Sequence, residues 1–320
     1  MIVTSIRLSR RAPRARPSRC AAPLLAVVAL ALPATGRAQT TAPAPAAAAA
    51  LVLMVEGAPM ARVPAEAEEG EQVRLAPLDW LPAGTHVATG DADAVEIVLR
   101  SGARFRLGPD TAVVVAEDGL QAEHGQPQRL ADTAPLPVVP AIAAAPGRTA
   151  LTAVRIRAGG FPALYPADGA RVVADAAELR FIPAVAAGSY SLEIEDVAGR
   201  VVLELATSET RVAVPAGVLA AGEAYLWRVR TRDPSGMLLW EEARFETLSA
   251  EEEAARRRLE EAVAAAPDAM GYLLLAGVDR GLGLAREAHR DLERALEMDP
   301  GAVAIQQIRQ RLAAEVGEGD

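Results

Sequence analysis

The 320-residue sequence predicts a multidomain chain that is mainly β and ends in a helical region. Three patterns lead there. Residues 84–115 alternate apolar and polar side chains between turn signals. Residues 179–245 hold several short alternating runs, spaced as in a β sandwich. Residues 249–316 switch to helical spacing and repeat a short pattern at an offset of 33.

The chain begins with a targeting pattern. Arg7, Arg10, Arg11, Arg14, Arg16 and Arg19 precede the apolar run Ala21–Leu32, and Gly36-Arg37-Ala38 offers small residues for cleavage. Basic, apolar, then small is the order of a secretory signal, so residues 1–38 are expected to direct export, with cleavage near Ala38–Gln39. The apolar run is short for a bilayer span, and an uncleaved anchor is the alternative. Ala12-Pro13 after Ser9-Arg10-Arg11 argues against a twin-arginine signal, and Cys20 precedes the apolar run rather than following it as a lipoprotein cysteine does. Cys20 is the single cysteine, so the mature chain holds no disulfide and relies on packing. Losing the leader's seven arginines and no acid takes the formal net charge from −9 to −16, which opposes nucleic-acid binding. All basic side chains apart from three histidines are Arg; with abundant Ala, this reads as codon bias.

Residues 39–50, rich in Ala and Pro, are expected to form a disordered linker, and residues 51–130 a β domain. Its first strand is Leu51–Val55. Val95, Ile97 and Leu99 then alternate with Glu96, Val98 and Arg100, which predicts one buried face and one wet, arginine-rich face. Ser101-Gly102-Ala103 suits a three-residue hairpin connection with Gly102 left-handed, and Leu99 is expected opposite Phe105, Ile97 opposite Leu107. Gly108-Pro109-Asp110 turns the chain into Thr111–Val115, so the block reads as one meander.

Gly84, Thr89-Gly90, the alternating strand Val95–Leu99, the Ser101-Gly102-Ala103 hairpin, Arg104–Leu107 and Gly108-Pro109-Asp110-Thr111 resemble the FecR domain, named for a periplasmic regulator of iron-citrate signalling. The resemblance covers about a quarter of the chain and rests on turn and packing signals. It implies the fold, and it implies as one functional reading a transmembrane regulator that relays a surface event to a sigma factor. Such regulators carry a cytoplasmic segment and a membrane span before this domain; here about twenty arginine-rich residues precede a short apolar run.

Pro135, Pro137, Pro140 and Pro146 mark residues 131–152 as a linker, because closely spaced prolines exclude helix and central strand. The next domain, 153–248, is expected to be a β sandwich with strands at Leu179–Phe181, Ser189–Glu195, Arg200–Leu205 and Thr210–Val214, then a hairpin from Tyr225–Thr231 through Asp233–Gly236 to a return strand carrying Trp240 and Phe245. That hairpin resembles the last strands of fibronectin type III-like domains. Alternation places Trp227 and Val229 toward the core, which disfavours a sugar-stacking platform at Tyr225 and Trp227.

Residues 249–316 open with a capping box, Ser249 and Glu252. Glu252–Arg256 and Glu253–Arg257 are expected as i,i+4 pairs on a solvated face. Leu259 to Pro267 aligns with Leu292 to Pro300, and Tyr272, Leu275, Ala276, Gly283, Ala288, Leu292, Ala295 and Pro300 resemble the tetratricopeptide pattern. Asp279 departs from it, since that family places an aromatic there. About one full repeat with flanking halves is short for a free-standing solenoid, so the helices are expected to pack on a neighbour or partner.

The residues point away from catalysis. His86, His124 and His289 share no metal-ligand spacing, no nucleophile elbow is present, and Arg280–Gly283 lacks the strand and Lys of a phosphate loop, reading as a helix–helix turn. Asp91 and Asp93 suit turn capping better than calcium. No cofactor, metal or catalytic set is expected. The primary functional reading is a non-catalytic periplasmic or secreted binding or scaffold protein whose partners are envelope proteins or the cell wall, with Arg100, Arg104 and Arg106 as the expected partner surface.

Overall fold

The computed structural model describes residues 48–64, 72–138, 161–183 and 188–316. The leader 1–38, the Ala/Pro stretch through residue 47 and linker residues 139–152 lie outside the described residues. Sheets come first and four helices last. Among the described residues no helix is long and apolar enough to cross a membrane.

The first unit contains β1 (Ala48–Glu56), β2 (Met60–Arg62), β3 (Gln72–Arg74), β4 (Trp80–Pro82), β5 (His86–Ala88), β6 (Ala94–Leu99), β7 (Arg104–Leu107), β8 (Ala112–Val115), β9 (Leu120–His124) and β10 (Gln128–Arg129). They form two sheets, ordered β10-β7-β6-β1-β4 and β3-β2-β5-β8-β9. Val52, Val95, Ile97 and Leu107 from one sheet meet Ala61, Val87, Val113 and Val115 from the other in a shared core.

Several expectations change here. The first strand begins at Ala48, inside the last three residues of the expected linker 39–50, and Ala48–Ala50 are buried. The expected single meander is divided, because the Gly108–Asp110 turn carries the chain from β7 in one sheet to β8 in the other. The hairpin register lies two residues from the expected one: Ile97 faces Phe105 and Val95 faces Leu107. Leu99 N–H donates to the Ala103 carbonyl, so Arg100–Gly102 is the three-residue loop, with Gly102 at φ 88°. A shift of two keeps every side chain on its face, so the alternation alone does not distinguish the registers. Finally, β6 is buried on both faces. Its second face has no wet arginine stripe, because helices from the far end of the chain cover Val98.

The second unit holds β11 (Ala163–Tyr165), β12 (Ala170–Val172), β13 (Glu178–Ile182), β14 (Tyr190–Asp196), β15 (Val201–Thr207), β16 (Arg211–Ala213), β17 (Ala224–Arg232) and β18 (Leu238–Thr247). Sheets β11-β13-β16 and β12-β18-β17-β14-β15 enclose a second core centred on Phe161, Phe181, Tyr190, Trp227 and Phe245. Strands β13 to β18 fall where the alternation places them. The short β11 and β12, three residues each, are too brief to show a period. Trp227 is fully buried and donates Nε1–H to the Pro166 carbonyl at 2.8 Å.

Four helices follow: α1 (Ala250–Ala265), α2 (Ala269–Gly281), α3 (Ala285–Met298) and α4 (Val303–Val316). The Ser249–Glu252 capping box is formed as read from sequence. The two expected i,i+4 pairs are not the ones observed. Glu252 binds Arg171 of β12 at 2.7 Å, Glu253 accepts from the Ala174 N–H, and Arg256 is buried against Asp279. Only part of the charge run is a solvated face, since α1 packs on both β12 and α2.

The helices and the first β unit share one core. Leu51 and Leu53 of β1, Val98 of β6, Trp80 and Leu136 pack with Leu259, Leu274, Leu275, Val278 and Leu292. Trp80 Nε1 donates to the Gly277 carbonyl at 3.0 Å, and Arg280 donates to the Pro77 carbonyl at 2.9 Å. Gly277 has no Cβ for a reason visible here: one would sit 2.5 Å from Leu51 Cδ2. Leu136, in the described part of the expected linker, is 3% exposed and donates its N–H to the Arg100 carbonyl. The chain through residue 136 is therefore part of the first unit.

Candidate binding surface

Of the three arginines read as a partner surface, Arg104 and Arg106 share one face of β7 and Arg100 lies in the hairpin loop before it. Arg104 Nε lies 3.0 Å from a carboxylate oxygen of Glu96, which is 7% exposed and whose carboxyl burial pushes upward. Arg106 binds Glu56 at 2.9 Å. Arg100 is half-buried in the hairpin loop. Two of the three guanidinia thus already serve carboxylates of their own sheet.

Other candidates resolve into structural roles. Asp93 accepts from the Ala58 N–H at 2.8 Å and the Gly90 N–H at 3.0 Å, and these bonds hold its carboxyl below the usual range. Its oxygens cap the turn, while Asp91 is exposed. His86 Nδ1 sits 3.3 Å from Glu123, and His289 lies 4.0 Å from Glu293. Among the described residues no group of three His, Cys, Asp or Glu is arranged to hold a metal ion. The Arg280–Gly283 segment is the α2–α3 turn, with Gly283 at φ 79°. Tyr225 and Trp227 are core residues, 5% and 0% exposed.

The solvent-facing aromatic is Trp240. Alternation along β18 sends Ala243 and Phe245 inward and Leu238, Trp240 and Glu242 outward. Met237, Leu238 and Trp240 are 59%, 50% and 50% exposed. Trp240 stands opposite Arg230, Arg230 opposite Ser191, and Leu238 opposite Arg232, giving one row across three strands and the start of another. A hollow of about 410 Å³ opens between Ser189, Ser191, Arg230, Arg232 and Leu238.

The row behind Trp240 is tied by charge. Arg228 lies 2.9 Å from Glu193 and 3.0 Å from Glu242, and Arg230 lies 3.2 Å from Glu193. This ladder crosses β14, β17 and β18 on the same outward face, so the apolar patch sits beside ion pairs that tie its three strands together. The sequence held a signal for it. Phe245 and Trp240 are separated by five, so on one strand they must take opposite faces.

A second ionic group is buried among the helices. Arg256 forks onto Asp279, Nε to Oδ1 at 2.7 Å and Nη2 to Oδ2 at 2.9 Å, and Asp279 is fully buried. Asp291, also fully buried, lies within hydrogen-bonding reach of Asp279. Burial pushes both carboxyls up, so the pair retains a proton above the ordinary carboxylate range. Arg256 pairs with Asp279 and Arg294 Nη1 lies 3.3 Å from Asp291 Oδ1, so the two carboxyls share the retained proton between them. The cluster faces neither cleft nor solvent, so it serves the helix packing.

No protein-family model matches the chain, and no curated protein does. Several solved structures align with part of the chain, two of them as follows. CopC from Methylosinus trichosporium OB3b is 22% identical over 29% of this chain and 95% of CopC, with a TM-score of 0.23. A beta-1,2-glucanase from Parabacteroides distasonis is 14% identical over 79% of this chain and 39% of the glucanase, with a TM-score of 0.21. At these scores neither similarity specifies a fold or an activity.

Proposed function

We propose that this chain is a non-catalytic binding or scaffold protein of the bacterial cell envelope, exported by its N-terminal signal. In this reading the first unit is a FecR-like domain, the second a fibronectin type III-like sandwich and the helices a tetratricopeptide-like region. The turn positions of residues 84–111, the three-against-five strand arrangement of residues 163–247 and the 33-residue repeat support that assignment.

The observation that carries the functional reading is the Met237–Leu238–Trp240 patch. Large apolar side chains set together on a braced, solvent-facing sheet mark interaction surfaces, whereas scattered ones do not. Trp and Arg are the residue types that dominate the energetics of such contacts, and here Trp240 stands beside Arg230 and Arg232.

The test is a Leu238→Ser/Trp240→Ser variant used beside the native chain to capture proteins from envelope extracts. Both side chains point away from the core, so the unfolding free energy from urea denaturation is expected to stay within about 0.5 kcal/mol of the native value. The reading expects the captured partner to be lost; equal capture by both proteins counts against it.

A further inference from the structure

Arginines inside this molecule are matched to acids as a rule. Arg104 faces Glu96, Arg171 faces Glu252, Arg228 faces Glu193 and Arg256 faces Asp279. Two exposed arginines, Arg74 and Arg311, meet at a cleft instead. Between α4 and the corner joining β1 to β3 lies a cleft of about 520 Å³, within the size range of small-molecule sites. Its floor is apolar: Leu75 and Ile308 are 3% and 5% exposed, and Met54 and Pro77 are half-buried. Arg74 comes from β3 and Arg311 from α4, so two guanidinia reach the cleft from separate elements.

No acid among the described residues lines this cleft. Arg74 spends one N–H on the Gly57 carbonyl at 3.2 Å, which leaves most of its fork available. Arg311 makes no hydrogen bond or ion pair with the described residues. The nearby Asp93 is occupied by the Ala58 and Gly90 N–H groups. Two cations thus share an apolar-floored cleft that no acid among the described residues lines, Asp93 acting on Arg74 from outside it.

From this arrangement we infer that the cleft binds a small amphipathic monocarboxylate, its carboxylate shared by Arg74 and Arg311 and its apolar body on Leu75 and Ile308. A guanidinium fork is built for a carboxylate, and a charge-assisted bond is stronger than a neutral one. The floor adds the hydrophobic contribution, so neither a bare inorganic anion nor a neutral amphiphile satisfies the whole site. The inference is independent of the scaffold reading, since the cleft lies in the seam between the first β unit and the helices and Trp240 lies on β18.

Calorimetric titration at low ionic strength tests it with three probes. Octanoate carries both features, octanamide the same body without charge, and inorganic phosphate charge without body. Octanoate is expected to bind one site, with octanamide and phosphate each at least about tenfold weaker. Arg311→Gln, an exposed change, is expected to weaken octanoate by about tenfold, while Arg309→Gln, outside the cleft, leaves it unchanged. Arg74→Gln should repeat the loss, and if it folds poorly Arg311→Gln decides alone. Absence of octanoate binding, equal binding of octanoate and octanamide, equal binding of phosphate, or an unaffected Arg311→Gln variant each overturns the inference. So does tighter binding of the free-carboxylate tripeptide Ala-Val-Leu, which would assign the cleft to peptide termini.

Discussion

At the scale of single residues, the buried Arg256–Asp279–Asp291 cluster sets the terms for the helices. Removing Arg256 would leave buried Asp279 without its guanidinium, Arg294 remaining on Asp291, and Arg256→Met is expected to cost about 3–5 kcal/mol in urea denaturation. The carboxyl pair also fixes a sign for pH. Its folded-state affinity for the proton exceeds that of the unfolded chain, because burial raises both groups. Its contribution is therefore fully present below the unfolded value of about 4 and is lost as pH rises through the raised one. Comparing urea midpoints between pH 5 and pH 9, the native chain should lose stability that Asp291→Asn retains, since the amide donates to Asp279 at every pH. Parallel slopes in the two proteins would show that the pair does not hold the proton. Asp279 was visible in the sequence as a departure from the tetratricopeptide pattern. Its meaning was not, because Arg256 sits in a charge run, and a helix-surface run looks the same whether or not a second helix covers one of its members.

At the scale of elements, what could be read depended on how many faces a strand buries. Strands β14, β15, β17 and β18 each bury one face, and their alternation placed them within a few residues. Strand β1 buries both, so its run of Ala, Leu and Val hides its length, and its start was read three residues late. Strand β6 alternates, yet is also buried on both faces, because Val98 is covered by helices more than 150 residues away in sequence. The segment through Leu136 was misread for a similar reason: its prolines break regular structure but do not prevent docking. Thr133 N–H donates to the Gly102 carbonyl and Leu136 N–H to the Arg100 carbonyl, so the hairpin loop anchors it. Gly102 is left-handed, and a Cβ there would meet the Thr133 carbonyl. Gly102→Ala is expected to cost at least about 1–2 kcal/mol and to release the Leu136 amide to hydrogen exchange. Unchanged protection at Leu136 would show that the loop does not hold the segment. Spacing grouped Arg100, Arg104 and Arg106 on one ribbon but could not show Glu96 and Glu56 beside two of them.

At the scale of the whole molecule, the helical region joins both β units and has no separate core of its own. It shares the cluster of Leu51, Trp80 and Leu136 with the first unit, and it meets the second through Arg171 with Glu252 and through Arg286 over the Tyr165 ring at 5.0 Å. The second unit has its own core around Trp227. A short helical repeat that buries its apolar face on a neighbour satisfies the size limit that the sequence imposed on it. Through this shared core β1 and α2 form one cooperative unit despite their distance along the chain, with the sandwich separate. Native-state hydrogen exchange on the native chain and on Trp80→Ala tests it most directly. The substitution removes a core indole and its bond to the Gly277 carbonyl, and is expected to cost about 3–5 kcal/mol. Protection should fall together, and by similar amounts, for the amides of Leu51–Leu53 and Leu274–Val278, while Trp227 and Val229 keep theirs. Loss confined to β1 with α2 unaffected, or an equal loss in β17, would contradict it.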